Sequence, residues 1–235
     1  MNTAGIIKTL FMTLLAVVLI QNVYIAQEFR AERVTGVVKA QKGLSEEFTP
    51  VTEGMILNKN TLLLTDKNAS LSLSGDGVRF TLKPQAALHL NDLRRMTVEE
   101  LLMALALEEI LDAGTRNEKS NLKNTAIYGT ESEKSNSGGN SDLGVLRLNG
   151  AKQLAENGFT ETAIITAKDV FRKYPSTAGM ADYRIFFAQQ LIKHKLWREA
   201  LDEFTAILKL DMGSREKQTV TESIEYIRQM TAAKK

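Results

Sequence analysis

Residues able to do chemistry are few in this chain and poorly placed to cooperate. Its 235 residues include no cysteine and two histidines, His89 and His194, 105 positions apart. The lack of thiols excludes a disulfide scaffold, an iron–sulfur protein and a thiolate zinc site. The paired carboxylates Glu46-Glu47, Glu99-Glu100 and Glu108-Glu109 are not acid/base dyads, because neighbours on a helix point ~100° apart. They read as solvated surface. Ser74-Gly75-Asp76-Gly77 lacks the glycine pattern of a nucleophile elbow and reads as a turn. Asp76 alone cannot supply the six or so oxygens that calcium takes. His89 alternates with Leu88 and Leu90, as a strand-surface histidine would, and the aromatics Phe171, Tyr174, Tyr183, Phe186, Phe187 and Trp197 fall at helix-packing positions. No catalytic, cofactor-binding or metal-binding residue is assigned, and the chain is expected not to be an enzyme.

Charge narrows the partners further. Thirty Lys plus Arg against 28 Asp plus Glu leave a net charge of +2, with no basic stripe to displace counterions from a phosphate backbone. Nucleic acid is therefore not an expected partner.

The elements that would position binding residues begin with a hydrophobic run. Lys8 precedes an uncharged stretch, 9–20, and no further charge occurs before Glu28. Residues 1–27 are expected to be a signal peptide or a membrane anchor. Cutting after Ala26 would place Tyr24 where a small residue is wanted, whereas an anchor at 4–26 is trimmed by Lys8, Gln21 and Asn22. Lys8 on one side and Arg30 and Arg33 on the other leave the orientation undecided by charge.

From 34 to 90 the pattern changes to short strands at 34–40, 47–51, 56–65, 69–74, 78–82 and 87–90, broken by turn residues such as Gly75-Asp76-Gly77. Ser70-Leu71-Ser72-Leu73-Ser74 alternates cleanly between core and solvent. Strands at this spacing imply an all-β sandwich or roll. Gly36-Val37-Val38, Val51 with Glu53-Gly54, Leu57-Asn58, Leu64-Thr65, the 69–73 strand, Asp76-Gly77 and Leu82-Lys83-Pro84 resemble the FecR domain, a periplasmic module of bacterial envelope proteins. The resemblance implies a periplasmic body, anchored to the inner membrane or secreted across it. FecR-type regulators also carry a cytoplasmic region that engages an extracytoplasmic-function sigma factor. Only about eight residues precede the hydrophobic run here, so that function is not expected to carry over, although a FecR-type transmembrane signalling regulator remains the alternative.

Thr97 and Glu100 form a capping box ahead of a helix at 97–112, which closes the β-domain at 34–113. Residues 114–142 are polar and glycine-containing and read as a flexible linker. Beyond them, 143–235 shows self-similarity at a period of 37 residues: Ala151 with Ala188, Leu154 with Leu191, Ala163 with Ala200 and Phe171 with Leu208. The expected helices are 143–157 with 160–174, 179–195 with 197–210, and a final one at 216–233. The small residues, the Gly158 turn and the Tyr174-Pro175 stop resemble the tetratricopeptide repeat, whose usual period is ~34 residues. Lys195 stands where the first copy has Gly158. In that family the first helix of each pair lines a groove for partner segments. The resemblance maps this groove onto Leu148, Lys152, Ala155, Glu156, Asp182, Ile185, Gln189, Ile192 and Lys193. With two copies, stability would come from the final helix or from a homodimer.

The expectation is therefore an α+β multidomain chain: a membrane segment, a β-domain and a helical repeat domain, acting as a protein-binding scaffold of the cell envelope. The partners would be envelope proteins and, through residues 1–27, the membrane.

Overall fold

The structure, a computed structural model, describes residues 28–43, 45, 47–121 and 137–233, with the backbone alone at 112–121 and 137–141. The expected signal or anchor at 1–27 lies outside the described residues, among which no helix is long and apolar enough to cross a membrane.

The fold is mixed α+β. Among the described residues eight strands precede six α-helices: β1 (Glu28–Thr35), β2 (Val38–Lys42), β3 (Phe48–Pro50), β4 (Ile56–Asn58), β5 (Thr61–Thr65), β6 (Ser70–Gly75), β7 (Val78–Leu82), β8 (Ala86–His89), α1 (Val98–Asn121), α2 (Ser137–Glu156), α3 (Thr160–Lys173), α4 (Ala181–Lys193), α5 (Trp197–Ile207) and α6 (Ser214–Ala232). The strands form two antiparallel sheets, ordered β4-β1-β6-β7 and β3-β2-β5-β8. Alternation decides which side chains enter the core. In β6, Leu71 and Leu73 are buried while the serines between them stay at the surface. The β6–β7 hairpin turns on Asp76 and Gly77, at φ 50° and 71°, the paired positive values of a two-residue turn matched to strand twist.

Three details depart from the sequence reading. The expected strand at 34–40 is two strands, because Gly36 turns the chain at φ 66°. A Cβ there would lie 2.6 Å from the Asn68 carbonyl oxygen, so only glycine is accommodated. The stretch 56–65 likewise breaks between β4 and β5, where Asn58 Oδ1 accepts the Asn60 backbone N–H at 3.1 Å. Finally, β1 begins earlier than expected, at Glu28, burying Phe29 and Ala31 between exposed Glu28, Arg30 and Glu32.

Helix α1 starts on the expected box: the Thr97 N–H donates to Glu100 at 2.7 Å and the Glu100 N–H to Thr97 Oγ1 at 3.1 Å. It runs past the expected stop at 112 to Asn121. The stretch 114–142, expected as a linker, thus supplies the end of α1 and the start of α2, and residues 122–136 lie outside the described ones.

The β and helical parts are not separate bodies. One hydrophobic core joins Phe29, Leu57, Leu71 and Leu88 to Leu148, Ala151, Leu154 and Phe159. The Phe80 and Phe159 rings meet edge to face at 6.2 Å. Helix α2 also grips the turn between β7 and β8: Gln153 Oε1 accepts the Lys83 N–H at 2.8 Å, and Asn149 Nδ2 donates to the Gln85 carbonyl at 2.7 Å. A second core, around Leu101, Ile164, Phe204 and Ile227, binds α1 to the helical pairs and the final helix.

Candidate functional site

The pairs α2/α3 and α4/α5 turn at equivalent residues. Gly158 takes φ 84° and Lys195 takes φ 59°, so the lysine adopts the left-handed conformation that ends the first helix of its pair. Ala151, Ala163, Ala188 and Ala200 are all fully buried, as close helix approach requires.

Along the second helices, α1 encloses a groove of about 490 Å³. Its apolar lining is Leu105 of α1, Phe171 of α3, Ala178 ahead of α4, Leu191 of α4 and Ala206 of α5. Leu101, one turn before Leu105, is buried against the helical pairs and fixes the wall. Five carboxylates, Glu108, Glu109, Glu199, Asp202 and Glu203, and three cations, Lys168, Arg172 and Arg184, complete the lining. The site is acidic although the chain is slightly basic.

Buried Glu203 organises the groove. It pairs with Lys168 of α3 and accepts from Arg184 Nε of α4 at 2.7 Å, so one carboxylate ties both helical pairs together. Burial alone would raise its pKa. The adjacent Lys168 and Arg184, with their hydrogen bonds, outweigh burial and hold it below the ordinary value. Glu108 is committed as well, accepting from Arg172 Nε at 2.9 Å. Glu109, Glu199 and Asp202 carry no ion pair among the described residues.

A second polar cluster lies where α2 and α3 meet the end of β8. Asp169 accepts from Arg172 Nη2 at 2.6 Å and lies 3.1 Å from Lys173 Nζ and 3.5 Å from buried Arg147 Nη1. Burial, reinforced by Arg147 and Lys173, pushes the His89 pKa down to about 4. His89, read as a strand-surface residue, is half-buried at the end of β8. Burial pushes the Asp92 carboxyl up to about 6, with Arg147 opposing and Asp169 assisting. Its Oδ2 is buried without a hydrogen-bond partner.

The groove residues mapped from the repeat resemblance differ in their surroundings. Leu148 and Ile185 are buried in the two cores and offer nothing to a partner. Ala155 packs partly buried against the first core, and Glu156 faces Lys83 of the β-domain at 3.7 Å. Lys152 Nζ lies over the Phe186 ring at 5.2 Å, and Lys193 donates to Gln190 at 3.0 Å. Asp182 is exposed, with Gln189 and Ile192 half-buried. Sequence reasoning missed Lys168, Arg184 and Glu203, and it read Glu108 as solvated surface. The one available signal was Glu203 on the apolar side of α5, a single turn after Ala200 and beside Phe204.

Among the described residues no group of three or more His, Asp or Glu side chains could hold a metal, and Glu203, Glu108 and Asp169 are each paired with cations at helix contacts. No family model, curated protein or solved structure matches the chain.

Proposed function

We propose that the chain is a non-enzymatic, protein-binding scaffold of the bacterial cell envelope, carrying its body in the periplasm behind the hydrophobic segment at 1–27. In this reading the two sheets form a FecR-like sandwich or roll and the paired helices are tetratricopeptide-like. The observation that carries it is the recurrence of one helix-pair geometry, with Gly158 and Lys195 both left-handed and the alanines at 151, 163, 188 and 200 buried. The acidic groove beside α1 has the chemistry for a cationic partner segment that also presents an apolar side chain.

Affinity capture of the full-length chain from crosslinked cells tests this. Envelope proteins should be recovered, and Glu109→Lys combined with Asp202→Lys should reduce that recovery. A sigma factor recovered instead, and lost on deleting residues 1–8, overturns the reading in favour of the signalling regulator.

A further inference from the structure

Two walls of the acidic groove carry carboxylates that nothing else among the described residues engages. On α5, Glu199, Asp202, Glu203 and Ala206 line the groove, spaced as one side of a helix. They extend along it for ~10 Å at 1.5 Å per residue. Glu109 lines it from α1, and Phe171 of α3 and Leu191 of α4 complete the apolar part between these walls. Every cation of the lining is taken: Lys168 and Arg184 by Glu203, Arg172 by Glu108 and Asp169. Arg198, beside Glu199 in sequence, is not part of the lining. Glu109, Glu199 and Asp202 therefore stand unanswered, with no ion pair among the described residues.

Size decides the shape of the occupant. A helix is 10–12 Å across and needs roughly 800 Å³ over that length, whereas the groove holds about 490 Å³. An extended chain is narrower, and ~10 Å takes three of its residues at ~3.3 Å each. Its successive side chains point to opposite sides. Two neighbours thus reach opposite walls, one to Glu199 or Asp202 on α5 and the next to Glu109 on α1. The third returns to the α5 wall ~6.6 Å beyond the first, and Ala206 lies ~6 Å past Asp202 on that helix. Given that this groove is the partner site, we propose that it recognises an extended segment with two adjacent Lys or Arg residues and an apolar residue beside them, toward Ala206. A lone cation leaves one wall unanswered, and an acidic segment is repelled by both.

Two end-blocked, fluorophore-labelled peptides of equal composition and charge test this by anisotropy on the full-length chain in nonionic detergent at low salt. Gly-Lys-Lys-Leu-Gly should bind about 2–5-fold more tightly than Lys-Gly-Leu-Gly-Lys, the worth of one further exposed ion pair, and the preference should fade in ~1 M salt. Glu109→Gln should bring the two peptides to equal affinity. Glu199→Gln combined with Asp202→Asn should weaken both. These side chains are exposed, so the circular dichroism of the variants should match that of the unsubstituted chain. Glu32→Gln, exposed on β1, should change neither affinity. Equal binding of the two peptides to the unsubstituted chain overturns the dibasic preference and leaves an acidic groove that takes cations in any spacing. Failure of both to bind at millimolar concentration, or an equal loss with Glu32→Gln, removes the groove as the partner site.

Discussion

Gly150 of α2 lies directly on the backbone of Ala87 in β8: a Cβ at position 150 would stand 2.0 Å from the Ala87 carbonyl oxygen. Backbone cannot yield as a flexible side chain does, so this contact sets how closely the helical part approaches the sheet. Gly150→Ala should destabilise the whole chain by about 1–3 kcal/mol through overpacking. Gly179→Ala, where nothing lies within 4 Å, should be nearly neutral. Denaturant unfolding of both variants is the comparison, and equal midpoints would remove Gly150 from the interface.

The shared core makes a second prediction. Residues 28–121 and 137–235, coexpressed as separate chains, should copurify, because Leu148, Leu154 and Phe159 complete the core that contains Phe29 and Leu57. Independent elution of the two halves would show that they are merely tethered.

Glu203 should be costly to remove. Glu203→Ala leaves Lys168 and Arg184 without their carboxylate and should lower stability by about 3 kcal/mol, as for other broken buried pairs. Its folded pKa lies below the ordinary 4.5, so the benefit is present above that value and is lost as pH falls through the folded pKa. The gap between wild type and Glu203→Ala should therefore narrow in acid, measured as unfolding midpoint against pH.

His89 and Asp92 should pull stability in opposite directions. Asp92 rises from 3.8 to about 6 in the fold, so it favours folding below pH 3.8 and that contribution is lost as pH rises through 6. His89 falls from 6.5 to about 4, so it costs stability as pH drops below 6.5. Over that window the wild type should be nearly flat. Asp92→Asn should expose a fall in stability toward acid, and His89→Gln a fall toward neutral pH, each with slopes up to about 1.4 kcal/mol per pH unit. Matching profiles in all three proteins would sink this assignment.

Lys195 holds a left-handed conformation at φ 59°, which strains a side chain with a Cβ. Lys195→Gly should stabilise by up to about 1 kcal/mol, readable as a raised melting temperature. In the same helical pairs, Ala163→Trp or Ala200→Trp, both at fully buried sites, should destabilise by about 1–3 kcal/mol or more.

Local signals were the legible ones. The Thr97–Glu100 box, the Asp76-Gly77 hairpin and the serine–leucine alternation of β6 are decided by residues within a few positions of each other, and each appears in the fold. The start of β1 was equally alternating, yet its charged residues Glu28, Arg30, Glu32 and Arg33 masked buried Phe29 and Ala31. What sequence could not supply was pairing over distance. Arg172 finds Glu108 across 64 positions and Lys168 finds Glu203 across 35, and the charges alone name no partner. The repeat resemblance located the helices well. It carries no knowledge of a β-domain seated on α2 or of α1 laid along the second helices, which is where Leu148 and Glu156 find their neighbours.

The joint core also bears on how the chain is made. Synthesis delivers β1 to β8 first, while the side chains that close their core arrive later, about 60 residues past His89, at Leu148 to Phe159. Until then Phe80, Leu82 and Leu88 lack part of their cover, and apolar surface exposed in this way is prone to association. A ribosome pause or truncation before residue 137 would strand an adhesive intermediate, so production losses should track the completion of α2 and α3 more closely than any fault within the strands themselves.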